Sequence, residues 1–312
     1  MNAVTEERPN RVGVIGLGAM GWPMARLLAA GHGDAYVTSS RPARQVLSDL
    51  DSEGSQVSGS IHWCETPADL AASCDEILLM LPDLPQIIEC LDAVDGLLAG
   101  LERRTAAAPA LLLAIGSTCS APGVRNLAGR LHRTHGERIV LVDAPVSGGE
   151  DGAKAGTLSI MLGGVEEHCY RAAQMLAPCG TAVRLGELGA GQVAKACNQL
   201  VVSATIFALG EASVLAERSG LDLAAMWELL GGGYASSRLL DSRRDRLVSG
   251  DDSPSGVIKY LRKDLDCARE LAEATSTHAV LLPALRQAVD EVIDAGLGDR
   301  DLAVTKRFIA ER

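Results

Sequence analysis

The feature that most constrains this chain is a glycine pattern at its first turn. The apolar run RVGVIGL (11 to 17) leads into Gly16-Leu17-Gly18-Ala19-Met20-Gly21, and a helix-forming stretch from Met20 to Ala30 follows at once. Between a strand and a helix, glycines at this spacing have separate tasks. Gly16 permits a tight turn, Gly18 lets backbone approach a pyrophosphate, and Gly21 lets the helix pack closely on the strand, with the phosphates at the helix N-terminus. Gly16 to Gly21, with Leu17, Ala19 and Met20 between the glycines, is therefore the expected cradle of a dinucleotide.

About twenty residues further on, NAD enzymes place a carboxylate on the ribose 2′-hydroxyl. This chain has Thr38-Ser39-Ser40-Arg41 there. Ser40 and Arg41, with Arg44 following, suit a 2′-phosphate, because guanidinium offers forked, charged donors. NADP is the favoured cofactor, with NAD as the alternative.

The rest of the chain sets this turn in a larger pattern. Strand-like runs at 11 to 17, 34 to 39, 75 to 81, 111 to 116, 138 to 144 and 157 to 163 alternate with amphipathic segments at Met20 to Ala30, Pro42 to Leu50, Leu84 to Leu98 and Ala121 to His135. Near-continuous apolar strands between helices imply a doubly wound, mostly parallel sheet covered on both faces. After about Gly186 the periodicity is helical throughout, at Gly191 to Arg218, Asp222 to Leu230, Arg238 to Leu247, Val257 to Ala274 and Leu281 to Ala295. A length of 312 residues fits two domains at about 150 residues each. The expected division is an α/β domain over 1–187 and an all-α domain over 188–312, joined by the long helix.

Composition narrows the partners. A net charge of −11 with 3% aromatic residues opposes a nucleic-acid or anionic-membrane surface. No secretion-signal pattern opens the chain, and no apolar stretch reaches the roughly 20 residues needed to span a bilayer, so a cytoplasmic protein is expected. The eight cysteines form no C-x-x-C pair and read as free buried thiols. No metal site is expected.

Two further segments carry candidate chemistry. Asp143-Ala144-Pro145-Val146-Ser147-Gly148-Gly149 ends a strand in small residues whose N–H groups can form a concavity for a carboxylate or phosphate. Gly189-Ala190-Gly191-Gln192-Val193-Ala194-Lys195 opens the long helix. Lys195 shares a face with Gln199, with Asn198 beside them, and no acidic residue lies within five positions of it. A partly desolvated lysine near a helix N-terminus is expected to have a lowered pKa, which suits acid/base work near neutral pH.

Together, GLGAMGWPMARLL (16 to 28), DAPVSGGEDGAKAGTLSIMLGG (143 to 164), GAGQVAKACNQ (189 to 199) and KDLDCA (263 to 268) resemble, in order and spacing, the four motifs of the β-hydroxyacid dehydrogenases, the 3-hydroxyisobutyrate dehydrogenase family. The resemblance covers nearly the whole chain. It implies an N-terminal Rossmann domain, an all-α C-terminal domain and a homodimer or homotetramer. It places Leu81 and Pro82 beside the adenosine ribose, Thr118 near the nicotinamide, and Ser147, Gly148 and Gly149 on the carboxylate of a small-molecule substrate. Lys195 becomes the catalytic lysine, with Asn198 or Gln199 on the reacting oxygen, and Lys263 reaches the cofactor.

The Lys-x-x-Asn-Gln form is similar to the tartronate semialdehyde (2-hydroxy-3-oxopropionate) reductase branch and tilts the substrate toward small polar semialdehydes. Two other readings share the fold: imine reductases, which usually replace the lysine, and non-catalytic cofactor-binding scaffolds that have lost it. Lys195 together with Ser147-Gly148-Gly149 points to an NAD(P)-dependent oxidoreductase.

Overall fold

The structure is a computed structural model that describes residues 10–43 and 58–312. Arg44 and the remainder of the helix expected up to Leu50 lie outside the described residues. The chain forms two compact units, Met1–Lys195 and Ala196–Arg312. The division falls inside the long helix, beyond the boundary expected at 187/188, because the first helical turns are hydrogen-bonded into the α/β unit.

In the first unit the described strands are β1 (Val12–Ile15), β2 (Asp34–Thr38), β3 (Ser60–Trp63), β4 (Glu76–Leu79), β5 (Leu111–Ile115), β6 (Ile139–Asp143), β7 (Val146–Ser147), β8 (Leu158–Gly163) and β9 (Gly180–Gly186). They make one sheet in the order β3-β2-β1-β4-β5-β6-β8-β7, with β9 paired to β8. The pairs from β3 through β6 are parallel, and β8 meets β6 and β7 antiparallel. This is a mostly parallel Rossmann sheet. Its central strands β1, β4 and β5 are buried along their whole length. One face is sealed by a cluster that includes Val14, Met24, Leu28 and Leu78, the other by one that includes Ile15, Ile77, Ile87 and Leu113. Each fully buried aliphatic side chain contributes about 1.5–3 kcal/mol relative to exposure, so both faces are needed to hold the sheet.

All six expected strands are present. The strands β3, β7 and β9 were not expected from the sequence, for a physical reason: β7 is two residues long, and no residue of β3 or β9 is fully buried, so neither of these carries a continuous apolar run. The helix expected over Leu84 to Leu98 is two helices, Leu84–Asp92 and Leu97–Glu102. A Cβ on Gly96 would lie 2.7 Å from the carbonyl oxygens of Cys90 and Leu91, a backbone approach that turns the chain between them. Local starts are clear where side chains cap them. Asp83 accepts from the Gln86 N–H and Ser120 from the Gly123 N–H, each at 3.0 Å, and each cap is followed by a helix with proline in its first turn.

The second unit is helical. The long helix Ala190–Arg218 continues into it and is followed by Leu223–Gly231, Arg238–Ser249, Tyr260–Ala274, Leu282–Asp294 and Val304–Ala310. Its core gathers Ile206, Trp227, Leu247, Leu265, Val289 and Val304. The Trp227 indole donates to Ser213 at 3.2 Å, which satisfies a buried polar pair.

The long helix corrects one expectation. Its 29 residues, with a mean hydropathy of 1.6 in the most apolar 18-residue window, are long and apolar enough to cross a membrane by length and composition. Half of that window is buried inside the protein, and Ile206, Phe207 and Leu209 belong to the core of the second unit. The apolar character is that of a core helix.

Candidate functional site

In the first unit the candidate residues collect at one edge of the sheet, the carboxyl ends of the parallel strands. Strand order reverses about β1 and β4, the place where open α/β sheets bind ligands. Gly16 to Gly21 follow β1, Ser40 and Arg41 follow β2, Leu81 and Pro82 follow β4, Thr118 follows β5, and Ser147 to Gly149 follow β6.

The turn after β1 has the three properties the glycines predicted. Gly16 has φ +94°, which favours glycine, and its Cβ would lie 2.3 Å from the Met80 carbonyl oxygen. A Cβ on Gly21 would meet the Gly16 carbonyl oxygen at 1.9 Å, so the helix Gly21–His32 can approach the turn only as glycine. Gly18 faces open space, with nothing within 4 Å of the Cβ position. A cradle open at its centre and closed at both ends fits a pyrophosphate lying against backbone N–H groups. Among the described residues no carboxylate stands at the end of β2, and the Arg41 guanidinium donates through Nη2 to the Leu17 carbonyl, against this same turn. Ser40 is exposed beside it.

Ser147 closes β7 opposite Ser159, and Gly148 and Gly149, with φ +135° and +64°, turn the chain into the helix Gly149–Ala155. Both glycines are exposed, so their backbone faces outward as the small-residue run predicted.

The start of the long helix is held by two buried polar residues to which sequence reasoning gave no role. Asp143, fully buried at the end of β6, accepts the Gly189 N–H through Oδ1 at 2.6 Å and the Gln192 N–H through Oδ2 at 2.7 Å. Burial pushes its carboxyl up from the ordinary range, and the Gly189 and Gln192 amides pull it down. Gly191 must be glycine here, since its Cβ would lie 2.1 Å from the Met161 carbonyl oxygen and 2.8 Å from Asp143 Oδ2. The Gln192 side chain in turn bonds the loop after β5: Oε1 accepts the Cys119 N–H and Nε2 donates to the Ser117 carbonyl, each at 2.8 Å. One turn later stands Lys195, 9% exposed, with its long side chain almost wholly removed from solvent.

In the second unit, Gln199 is the centre of a buried polar group. Its Nε2 donates to Asp264 Oδ2 at 2.5 Å, and its Oε1 accepts from Asn198 Nδ2 at 2.8 Å. The Lys263 ammonium lies 3.2 Å from Asp264 Oδ1. Three residues from two motifs are thus brought together with Asp264, which also had no assigned role. A signal for Asp143 and Gln192 was present: each is a polar residue inside an apolar or small-residue motif, a position that burial tolerates only with partners, whereas Asp264 stands among Arg262, Lys263 and Asp266 and reads as one more charge of a polar helix. Among the described residues no group of three or more His, Cys, Asp or Glu side chains could hold a metal ion.

Comparison with known proteins agrees with this architecture. Residues 11–189 match the family model for the NAD binding domain of 6-phosphogluconate dehydrogenase, and residues 189–308 match that for the NAD-binding domain of NADP-dependent 3-hydroxyisobutyrate dehydrogenase. The chain is 35% identical over 267 residues to 2-hydroxy-3-oxopropionate reductase of Escherichia coli, covering 85% of each. It is 31% identical over 310 residues to the mitochondrial 3-hydroxyisobutyrate dehydrogenase of Rattus norvegicus, covering 96% of this chain and 87% of that one. Among solved structures, 3-hydroxyisobutyrate dehydrogenase of Mycobacterium tuberculosis, determined with L-serine, superposes with a TM-score of 0.77 at 28% identity, covering 97% of this chain and 99% of the other.

Proposed function

The chain belongs to the 3-hydroxyisobutyrate dehydrogenase family of NAD(P)-dependent oxidoreductases, and from that premise we propose that it reduces a small polar 3-oxo acid, tartronate semialdehyde first among them, with NADPH. The observation that carries this reading is Lys195: a lysine withdrawn from water, on a helical turn tied both to the end of β6 and to the Thr118 loop.

NADPH held at Gly16 to Gly21 would supply the hydride for the carbonyl carbon. The chain's own residues do the rest. Lys195 gives its ammonium proton to the oxygen on which negative charge develops, and takes it back from the hydroxyl in the oxidative direction. The amide of Asn198 or Gln199, the two tied to each other and Gln199 to Asp264, holds that oxygen. Ser147, Gly148 and Gly149 receive the substrate carboxylate, and with both ends held the carbonyl is oriented for transfer. Arg41 and Ser40 take the 2′-phosphate, which is the basis for NADP over NAD. Lys263, its ammonium kept in place by Asp264, would help to hold the cofactor. The substrate preference is supported by the Lys195-x-x-Asn198-Gln199 sequence and by 35% identity to a 2-hydroxy-3-oxopropionate reductase.

A spectrophotometric screen tests the reading. NADPH and NADH oxidation are followed with tartronate, succinate and methylmalonate semialdehydes, glyoxylate and a cyclic imine. Tartronate semialdehyde with NADPH is expected to give the highest kcat/KM. Turnover of the imine alone, or cofactor binding with no turnover across the panel, overturns it. Light scattering on the eluting protein checks the homodimer or homotetramer that the resemblance implies.

A further inference from the structure

The two hydrogen bonds of the Gln192 side chain go to the peptide groups on either side of Thr118. Its Oε1 accepts the Cys119 N–H and its Nε2 donates to the Ser117 carbonyl, each at 2.8 Å, so the carboxamide pairs with this segment as a neighbouring strand residue would. Gln192 is 1% exposed, and its own backbone N–H is held by Asp143. Ser117 is tied in its turn, its hydroxyl donating to the Leu81 carbonyl. One side chain therefore joins the loop after β5, and through it the loop after β4, to the helical turn that carries Lys195.

We propose that Gln192 is a positioning residue for the reaction, fixing Lys195 against the Thr118 loop so that proton donor and hydride donor are aligned on one carbonyl. The inference rests on the reading of Lys195 as the proton-transferring group. Its physical basis is rigidity. A carboxamide with one acceptor and one donor fits a peptide edge in a single orientation, and neither partner has water to fall back on. Asp143 fixes the helix start to β6, whereas the Thr118 segment needs a link of its own. The carboxamide of Gln192 adds that link. Because misplacement of a catalytic group by about 1 Å can cost about 10²-fold in rate, the effect of losing it should appear in kcat.

Two substitutions separate positioning from mere support of the fold. Gln192→Leu keeps the volume and removes both bonds. Gln192→Glu keeps the acceptor for the Cys119 N–H but sets a negative oxygen against the Ser117 carbonyl, and protonation of the new carboxyl restores the donor. Steady-state kinetics with the semialdehyde, fluorescence titration of NADPH and hydrogen exchange of the peptide spanning 116–121 are measured on the full chain from pH 5 to pH 9.

The expected results are a kcat about 10²-fold lower for folded Gln192→Leu, an NADPH Kd within about threefold of wild type, and faster exchange of the 116–121 peptide. For Gln192→Glu, the ratio of its kcat to that of wild type climbs as pH falls and exchange slows in parallel. Should Gln192→Leu not fold, Gln192→Glu decides alone. Wild-type kcat in Gln192→Glu at pH 8, a ratio flat with pH, or a loss confined to NADPH affinity overturns the proposal while leaving the function intact. A wild type that turns over none of the panel overturns the function itself, and the positioning role with it.

Discussion

The Gln199 amide donates to the Asp264 carboxylate at 2.5 Å, joining the long helix to the helix Tyr260–Ala274 across 65 positions of sequence. Both side chains are buried, and the same carboxylate lies 3.2 Å from the Lys263 ammonium. Asp264→Ala removes the acceptor for both. A buried amide left without its partner costs about 1–3 kcal/mol, so the variant should melt at lower temperature. On the proposed reading its kcat should fall more than tenfold; calorimetry and steady-state kinetics check the two together.

Lys195→Met keeps much of the side-chain length and removes the proton. General acid/base groups contribute about 10²–10⁴-fold, and a loss of that size in kcat is expected, with the NADPH dissociation constant unchanged in a fluorescence titration. Turnover at the wild-type rate would remove Lys195 from the chemistry.

The Arg41 guanidinium lies against the Leu17 carbonyl at the end of β2, where a carboxylate would read a 2′-hydroxyl. Arg41→Asp exchanges the charge. The ratio of kcat/KM for NADPH to that for NADH should fall by at least tenfold, since one charge-assisted hydrogen bond contributes about 1.5–3 kcal/mol. An unaltered ratio in parallel assays would show that Arg41 does not meet the phosphate.

Asp143 gives a prediction about pH. Burial raises its carboxyl pKa above the ordinary 3.8, so between that value and the raised one the folded protein keeps a proton the unfolded chain has released. Stability then falls as pH rises through the interval and is level above it. Asp143→Asn removes this titration and sets an NH₂ group against either the Gly189 or the Gln192 N–H. The variant should be less stable throughout, and the margin held by wild type should narrow as pH rises from about 4 and then stay constant. Urea melts across that range measure it; a margin that widens with pH would contradict the assignment.

What the sequence determined by itself is local. The strand, glycine turn and helix at 11 to 30, the apolar strands of a two-faced sheet and the helical periodicity after Gly186 are all set by neighbours a few residues apart, and all are present in the fold. The candidate loops were legible for the same reason, because Gly16, Gly148 and Gly149 take positive φ and Gly21 stands where a Cβ would meet backbone. Helix Leu84–Asp92 marks the limit: periodicity ran through Ala93 to Gly96, and only carbonyl packing at Gly96 broke it.

Tertiary structure decided the partnerships. Nothing in the spacing of Asp143, Gln192 and Asp264 says that they bond Gly189, Ser117 and Gln199 from 46, 75 and 65 positions away. A buried polar group announces only that it needs a partner, and which one it finds depends on the strands and helices that pack around it.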